Sequence, residues 1–144
     1  MRKSIASAWT ALALLGALAA CRSDKPEDQI RKRFEACRTA VEAGDAPAAT
    51  EPLDPAFRGP EGMDKATARF FLMGTFRQEK VGVTVLRNEV ALRGNEGVQE
   101  VDLIFTGRSG GLLPQDASHR SFQLRWLKAG GEWRLKEIQS LDGR

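Results

Sequence analysis

The 144-residue chain contains no tyrosine, a single histidine and two cysteines. Without tyrosine, a site in which a phenol donates to an oxyanion beside an aspartate base cannot be assembled. His119 and one cysteine beyond Cys21 fall short of the clustered ligands a zinc ion takes, so no metal or cofactor is expected. The chain also lacks a Gly-x-Ser-x-Gly elbow for a serine nucleophile. Arg108-Ser109-Gly110-Gly111 is glycine-rich but has neither the lysine nor the strand–loop–helix setting of a phosphate loop, and reads as a hairpin connection.

Long apolar runs are absent except at the start. Arg2 and Lys3 precede an uncharged stretch from Ser4 to Ala20, 17 residues long, which ends Leu18-Ala19-Ala20 before Cys21. This is the three-part plan of a secretory signal. At 17 residues it sits at the low end of a membrane span, and a leader cut by the ordinary signal peptidase would not need the cysteine. The sequence Leu-Ala-Ala-Cys resembles the lipobox of bacterial lipoproteins. That resemblance implies cleavage before Cys21 and a diacylglyceride on its sulfur. Each buried methylene contributes about 0.8 kcal/mol, and several acyl chains together make a stable anchor. Residues 1–20 are then a signal peptide and 21–25 a lipidated tether that keeps the domain close to the headgroups. Arg22 lacks the acidic inner-membrane retention signal of such lipoproteins. For a Gram-negative source, the periplasmic side of the outer membrane is favoured over the inner membrane.

Charge of one sign is not in excess either. The chain has 22 basic and 19 acidic residues, and two of the basic ones lie in the leader, so the mature chain carries 20 − 19 = +1. That balance offers no basic stripe for nucleic acid. The run Arg31-Lys32-Arg33, with Arg22 and Lys25, could touch anionic headgroups. Asp24, Glu27, Asp28 and Glu35 stand close enough to neutralise it. Cys37 would be the only thiol in an oxidising compartment. A reactive thiol or an intermolecular disulfide competes there with burial, because Ile30, Phe34, Cys37 and Val41 recur at helical spacing.

Residues 26–144 suit one domain. A helix is predicted from Pro26 to Ala43, with Asp28–Lys32, Arg31–Glu35 and Arg38–Glu42 paired across its turns. Residues 44–62 hold Pro47, Pro52, Pro55 and Pro60 and read as an irregular connection pinned by Leu53 and Phe57. Asp64 caps a second helix to Arg77, apolar enough around its circumference to be mostly covered. Strand signals follow. Val81, Val83 and Val85 alternate, then Val90 and Leu92 take the opposite parity, which predicts a bulge near residues 87–89. Val101, Leu103 and Phe105 mark the next strand, and Phe122, Leu124 and Trp126 the one after it. Ala129-Gly130-Gly131-Glu132 turns into a last strand from Trp133 to Leu141. The expected fold class is α+β, with two N-terminal helices packed on a curved antiparallel four-stranded sheet.

The helix at 64–77, the bent strand at 80–94 and the hairpin Arg125 to Leu135 together resemble the NTF2-like (SnoaL-like) superfamily. The Pro-rich stretch stands where many members have an additional helix. That resemblance implies a cone-shaped domain. It leaves activity open, since the superfamily includes isomerases, dehydratases, cyclases and non-catalytic binding domains. The aromatic side chains can fill a core or line a pocket. The face carrying Arg120, Gln123 and Arg125 can be wet or can meet a polar partner.

Two functions follow. One is a membrane-tethered envelope domain without catalysis, binding a protein partner (a second copy through the sheet face among them) or a small apolar ligand. The other is a lyase or isomerase using a pocket carboxylate or His119, with Asp64 and Asp102 as the carboxylates. An ionisable group alone at the bottom of an apolar cavity would favour the enzyme. If Cys21 carries the anchor, Cys21→Ala leaves the membrane fraction. Intact-mass measurement of the wild-type protein then finds the leader missing and the cysteine acylated. An unmodified Cys21 in a soluble wild-type product would refute the anchor.

Overall fold

A computed structural model describes residues 24–107 and 118–143. Cys21, the leader and most of the Gly-rich stretch from residue 107 lie outside the described residues. The elements are α1 (Pro26–Glu42), α2 (Ala46–Thr50), β1 (Leu53–Arg58), a 3-10 turn (Pro60–Gly62), α3 (Lys65–Gln78), β2 (Gly82–Arg93), β3 (Glu96–Thr106), β4 (His119–Ala129) and β5 (Glu132–Ser140).

The sheet has five strands in the order β1-β5-β4-β3-β2, not the four expected. The extra strand is β1, which runs parallel to β5 with Leu53 beside Leu135. It lies in the Pro-rich stretch read as irregular. Proline donates no ladder hydrogen bond and is tolerated on an edge strand, so Pro55 conceals the strand without preventing it. The other strand pairs are antiparallel, which makes the sheet mixed. Leu53 and Phe57 are buried, as their apolar character requires. The connection also holds α2, whose first turn is capped by the Asp45 carboxylate accepting from the Ala48 N–H at 3.0 Å.

The parity switch in β2 is real. Register shifts between Val85 and Arg87, leaving Leu86 exposed as the extra residue. A second shift, between Arg125 and Trp126 on β4, sets Glu137 and Leu135 as consecutive partners on β5 and leaves Lys136 over. Such bulges bend strands and increase twist, so the sheet curls around one face.

One end of that concave face is filled by α1. Ile30 and Trp126 are fully buried, with Trp133, Leu135 and Phe34 nearby in the same core. Burying Trp126 requires a partner for its indole N–H, and Gln99 Oε1 accepts it at 2.9 Å. Gln99, itself fully buried, donates to Asn88 Oδ1 at 2.8 Å. This polar chain thus ends at a side chain of the bulged strand.

The surface of α1 pairs differently from the simple i,i+4 reading. Arg38 does meet Glu42, and also Glu35. Arg31 instead pairs with Asp28, and Lys32 reaches Asp24 beyond the helix start. Arg33 turns inward to donate to the Trp133 carbonyl at 3.1 Å and approaches Glu51 at 3.4 Å. All three cations of the basic run are therefore engaged within the domain.

The larger departure concerns α3. It starts as expected, with the Asp64 carboxylate accepting from the Thr67 N–H at 2.8 Å. It is not mostly covered: Ala68 is its one buried residue, and Phe70 and Phe71 are 78% and 58% exposed. The helix packs chiefly on α2 and β1, and much of its inward edge overhangs open space.

The contact between α1 and the sheet depends on Gly97. A Cβ built there would stand 2.4 Å from Ile30 Cδ1. Gly97→Ala is expected to destabilise the protein by about 1–3 kcal/mol in urea unfolding, the usual range for overpacking. Ile30→Val removes that Cδ1, so the double variant should lose less than the sum of the two single losses. Strict additivity would show that the two positions are not in contact.

Candidate functional site

Beyond the end filled by Ile30 and Trp126, the concave face stays open. The cavity is about 1160 Å³, at or above the upper end of small-molecule sites, which run to roughly 1,000 Å³. Val101, Leu103 and Leu124 are its buried floor, since their alternation puts them on the inner face of β3 and β4. Phe105, Phe122 and Ile138 continue that surface, while Phe71, Leu72, Thr75 and Phe76 of α3 form the opposite wall. Phe34, Cys37 and Val41 contribute the stripe of α1. The aromatic side chains therefore serve both as core and as pocket lining. Trp126 and Trp133 belong to the first role; Phe71, Phe105 and Phe122 belong to the second.

The residues nominated for chemistry are not brought together here. Asp64 caps α3, and the amide of Thr67 holds its carboxyl below the ordinary carboxylate range. Asp102 sits on the outer face of β3, where Arg87 Nε donates to it at 2.9 Å and the Ser121 hydroxyl donates at 2.7 Å. These bonds, Arg87's first, hold the Asp102 carboxyl below the ordinary carboxylate range. His119 begins β4 and is exposed; it shares the charge field of Asp102 but no hydrogen bond between them is found among the described residues. None of the three lines the cavity.

The ionisable groups that do line it are few. Cys37 is neither fully buried nor exposed, and desolvation pushes its thiol up to about 11, against a smaller opposing pull from Arg33 and a further push from Glu51. It stays a thiol at neutral pH, which favours the packing reading over the reactive one. Arg38 is held by Glu35 and Glu42 and donates to the Val83 carbonyl at 3.3 Å. Glu137 is register partner to Arg125, and its carboxylate pairs with Arg125 at 3.3 Å. Glu61 is exposed and occupies a left-handed backbone conformation, φ 59°, in the 3-10 turn at the rim.

Two arginines remain. Arg120 shares the parity of Phe122, Leu124 and Trp126, so it belongs to the inner face and lines the cavity, apart from Gln123 and Arg125. It therefore lies opposite Gln123 and Arg125 rather than beside them as expected, because the alternation of β4 separates even from odd positions. Its nearest carboxylate among the described residues is Asp142, at 3.7 Å. Asp142 is already engaged with the Ser121 N–H at 3.2 Å. Arg58, at the end of β1, donates to the Phe57 carbonyl at 3.2 Å and makes no ion pair among the described residues. Nothing in composition marked Arg58, whereas the alternation of β4 could have marked Arg120.

No protein-family model matches the chain, and no curated protein matches it. Solved structures do resemble it. A single-residue variant of Rv3472, a protein of unknown function from Mycobacterium tuberculosis, aligns at TM-score 0.69 and 13% identity over 81% of this chain and 75% of that one. An NTF2-like protein with a cystatin-like fold from Novosphingobium aromaticivorans aligns at 0.67 and 15% identity, covering 81% and 82%. An NTF2-like protein from Cytophaga hutchinsonii aligns at 0.64 and 15% identity, covering 81% and 98%. The fold is thus NTF2-like, helices on a curved mixed sheet.

The raised Cys37 pKa gives two expected outcomes. At pH 8 the folded protein should hold about a hundredfold less thiolate than the unfolded chain, from values of about 11 and 9.0, and iodoacetamide should label it correspondingly more slowly until urea is added. The folded state binds this proton more tightly, so its contribution to stability is full below pH 9 and is lost as pH rises through about 11. Equal labelling rates in the two states would contradict both.

Proposed function

We propose that the protein is a non-catalytic binding domain, tethered to the envelope membrane by lipid on Cys21, whose cavity takes a small apolar ligand. The observation that carries this reading is the cavity itself. It is large and lined mainly by apolar side chains, and its floor offers no carboxylate or imidazole among the described residues. A proton-transfer site needs such a group at hydrogen-bonding distance from the reacting atom. Here Asp64, Asp102 and His119 lie elsewhere, and the thiol of Cys37 is held protonated.

The tether and the cavity support one another in function. A four-residue link from Arg22 to Lys25 reaches roughly 15 Å when extended at about 3.5 Å per residue, so the domain would work at the surface where apolar molecules partition. The leader and Arg22 favour the periplasmic side of the outer membrane in a Gram-negative source. No helix among the described residues is long and apolar enough to cross a membrane.

A protein partner is the second reading, and one observation favours it. Phe70 and Met73, 78% and 39% exposed, stand on the side of α3 away from the cavity, and exposed apolar patches commonly mark contact sites.

Titration with a neutral, environment-sensitive dye tests the first reading. The wild-type protein should enhance its emission saturably, and Thr75→Trp, which fills the cavity from the α3 wall, should abolish that signal. Thr84→Trp, on an exposed position of β2, should retain it. A dye signal unaffected by Thr75→Trp would place the ligand elsewhere and remove the proposal.

A further inference from the structure

The charges around the cavity are not balanced, and the imbalance specifies the ligand. Of its cations, Arg38 is neutralised by Glu35 and Glu42. Of its carboxylates, Glu137 is turned to Arg125, which leaves only exposed Glu61 at the rim. Arg120 and Arg58 are then the least closely paired cations of the lining: Arg120 has Asp142 at 3.7 Å, beyond hydrogen-bonding reach and shared with the Ser121 N–H, and Arg58 feels Asp64 only at a distance and has no ion pair among the described residues. An arginine presents a planar fork of donors suited to a carboxylate. Arg120 lies on the inner face next to Phe122, its guanidinium still reached by solvent, where a bound carboxylate would supply a hydrogen-bonded partner that Asp142 at 3.7 Å does not.

Resting on the apolar-ligand reading above, we infer that the occupant is an amphiphile with an aliphatic body and a carboxylate head. The body lies over Val101, Leu103, Leu124 and the phenyl rings of α3, and the head is held by Arg120 with Arg58 as the second cation. Neutral and cationic amphiphiles are the competing occupants. A neutral one would leave both arginines solvated, and a cationic one would meet Glu61 alone against two positive charges.

The test uses the purified full chain in the presence of phosphatidylcholine discs, with empty discs as the blank. Displacement of the neutral dye is followed with dodecanoate, dodecanol and dodecyltrimethylammonium at pH 8. Dodecanoate should bind at least about tenfold more tightly than dodecanol, the scale of one charged hydrogen bond. The cation should bind most weakly. Arg120→Gln should weaken dodecanoate about tenfold while leaving dodecanol unchanged, and Arg120→Lys should fall between them because charge persists without the fork. Arg58→Gln should act in the same direction. Both arginines are solvent-accessible, so these variants should melt like the wild type by circular dichroism, which separates lost recognition from lost folding. Equal affinity for dodecanoate and dodecanol, or a double Arg58→Gln, Arg120→Gln variant that binds dodecanoate normally, would overturn the carboxylate assignment and leave apolar binding intact. Failure of the dye and of all three amphiphiles would overturn both.

Discussion

The seat of α1 on Gly97 is the constraint from which the rest of the structure follows. Only a residue without a side chain lets Ile30 reach the sheet there, since even a methyl group would meet its Cδ1 at 2.4 Å. That approach seals one end of the concave face over Trp126 and obliges the indole N–H to find a partner inside. Gln99 supplies it, and Asn88 in turn satisfies Gln99, so a core that would otherwise be entirely apolar contains one connected polar chain. Such a chain fixes the relative placement of β2, β3 and β4, because a slip of one residue in β3 would turn Gln99 to the opposite face and leave the buried indole N–H of Trp126 without its acceptor.

Sealing one end also defines the other. The sheet curls at Leu86 and Lys136, and α1, which stays on β2 as far as the Arg38–Val83 bond, leaves much of the inner face of β3 and β4 open. The residues there retain the inward parity of a core without a helix pressed on them. Val101, Leu103 and Leu124 therefore become a cavity floor. On the far side, α3 packs chiefly on α2 and β1, which explains both its overhang and the exposure of Phe70. Cavity and exposed helix are two consequences of one geometry.

Much of this was legible in the residues. The cap at Asp64, the parity switch in β2 and the closing hairpin all rest on local rules, and local rules suffice where neighbours along the chain decide the outcome. The missed strand did not satisfy that condition. β1 is specified by its long-range parallel pairing with β5, and its own composition, with Pro52 and Pro55, argues for a loop. The coverage of α3 was misjudged for a related reason: an apolar circumference states how much surface a helix would bury, and the number of elements available to bury it is a property of the tertiary structure. The cavity side of Arg120 was available from alternation alone, whereas the inclusion of Arg58 in the same lining depends on β1 and could not be seen without it.

The distribution of charge between the two faces of the sheet bears on what the domain can do. On the convex face, Arg87 gathers Glu89, Glu100 and Asp102, and Arg125 gathers Glu96 and Glu137. Among them, Asp102 has its carboxyl held below the ordinary carboxylate range by Arg87 and the Ser121 hydroxyl, the opposite of the environment that raises a carboxyl pKa toward neutrality and makes it a useful acid or base. Around the cavity the described ionisable groups are a protonated thiol, guanidinium ions, Glu137 paired with Arg125, and Glu61 exposed at the rim. On the proposed reading, a surface of that kind serves to recognise charge and exclude water. Most acids of the sheet thus gather with arginines on one face, and apolar volume with arginine lies on the other, which is the arrangement the proposed ligand-binding reading draws on.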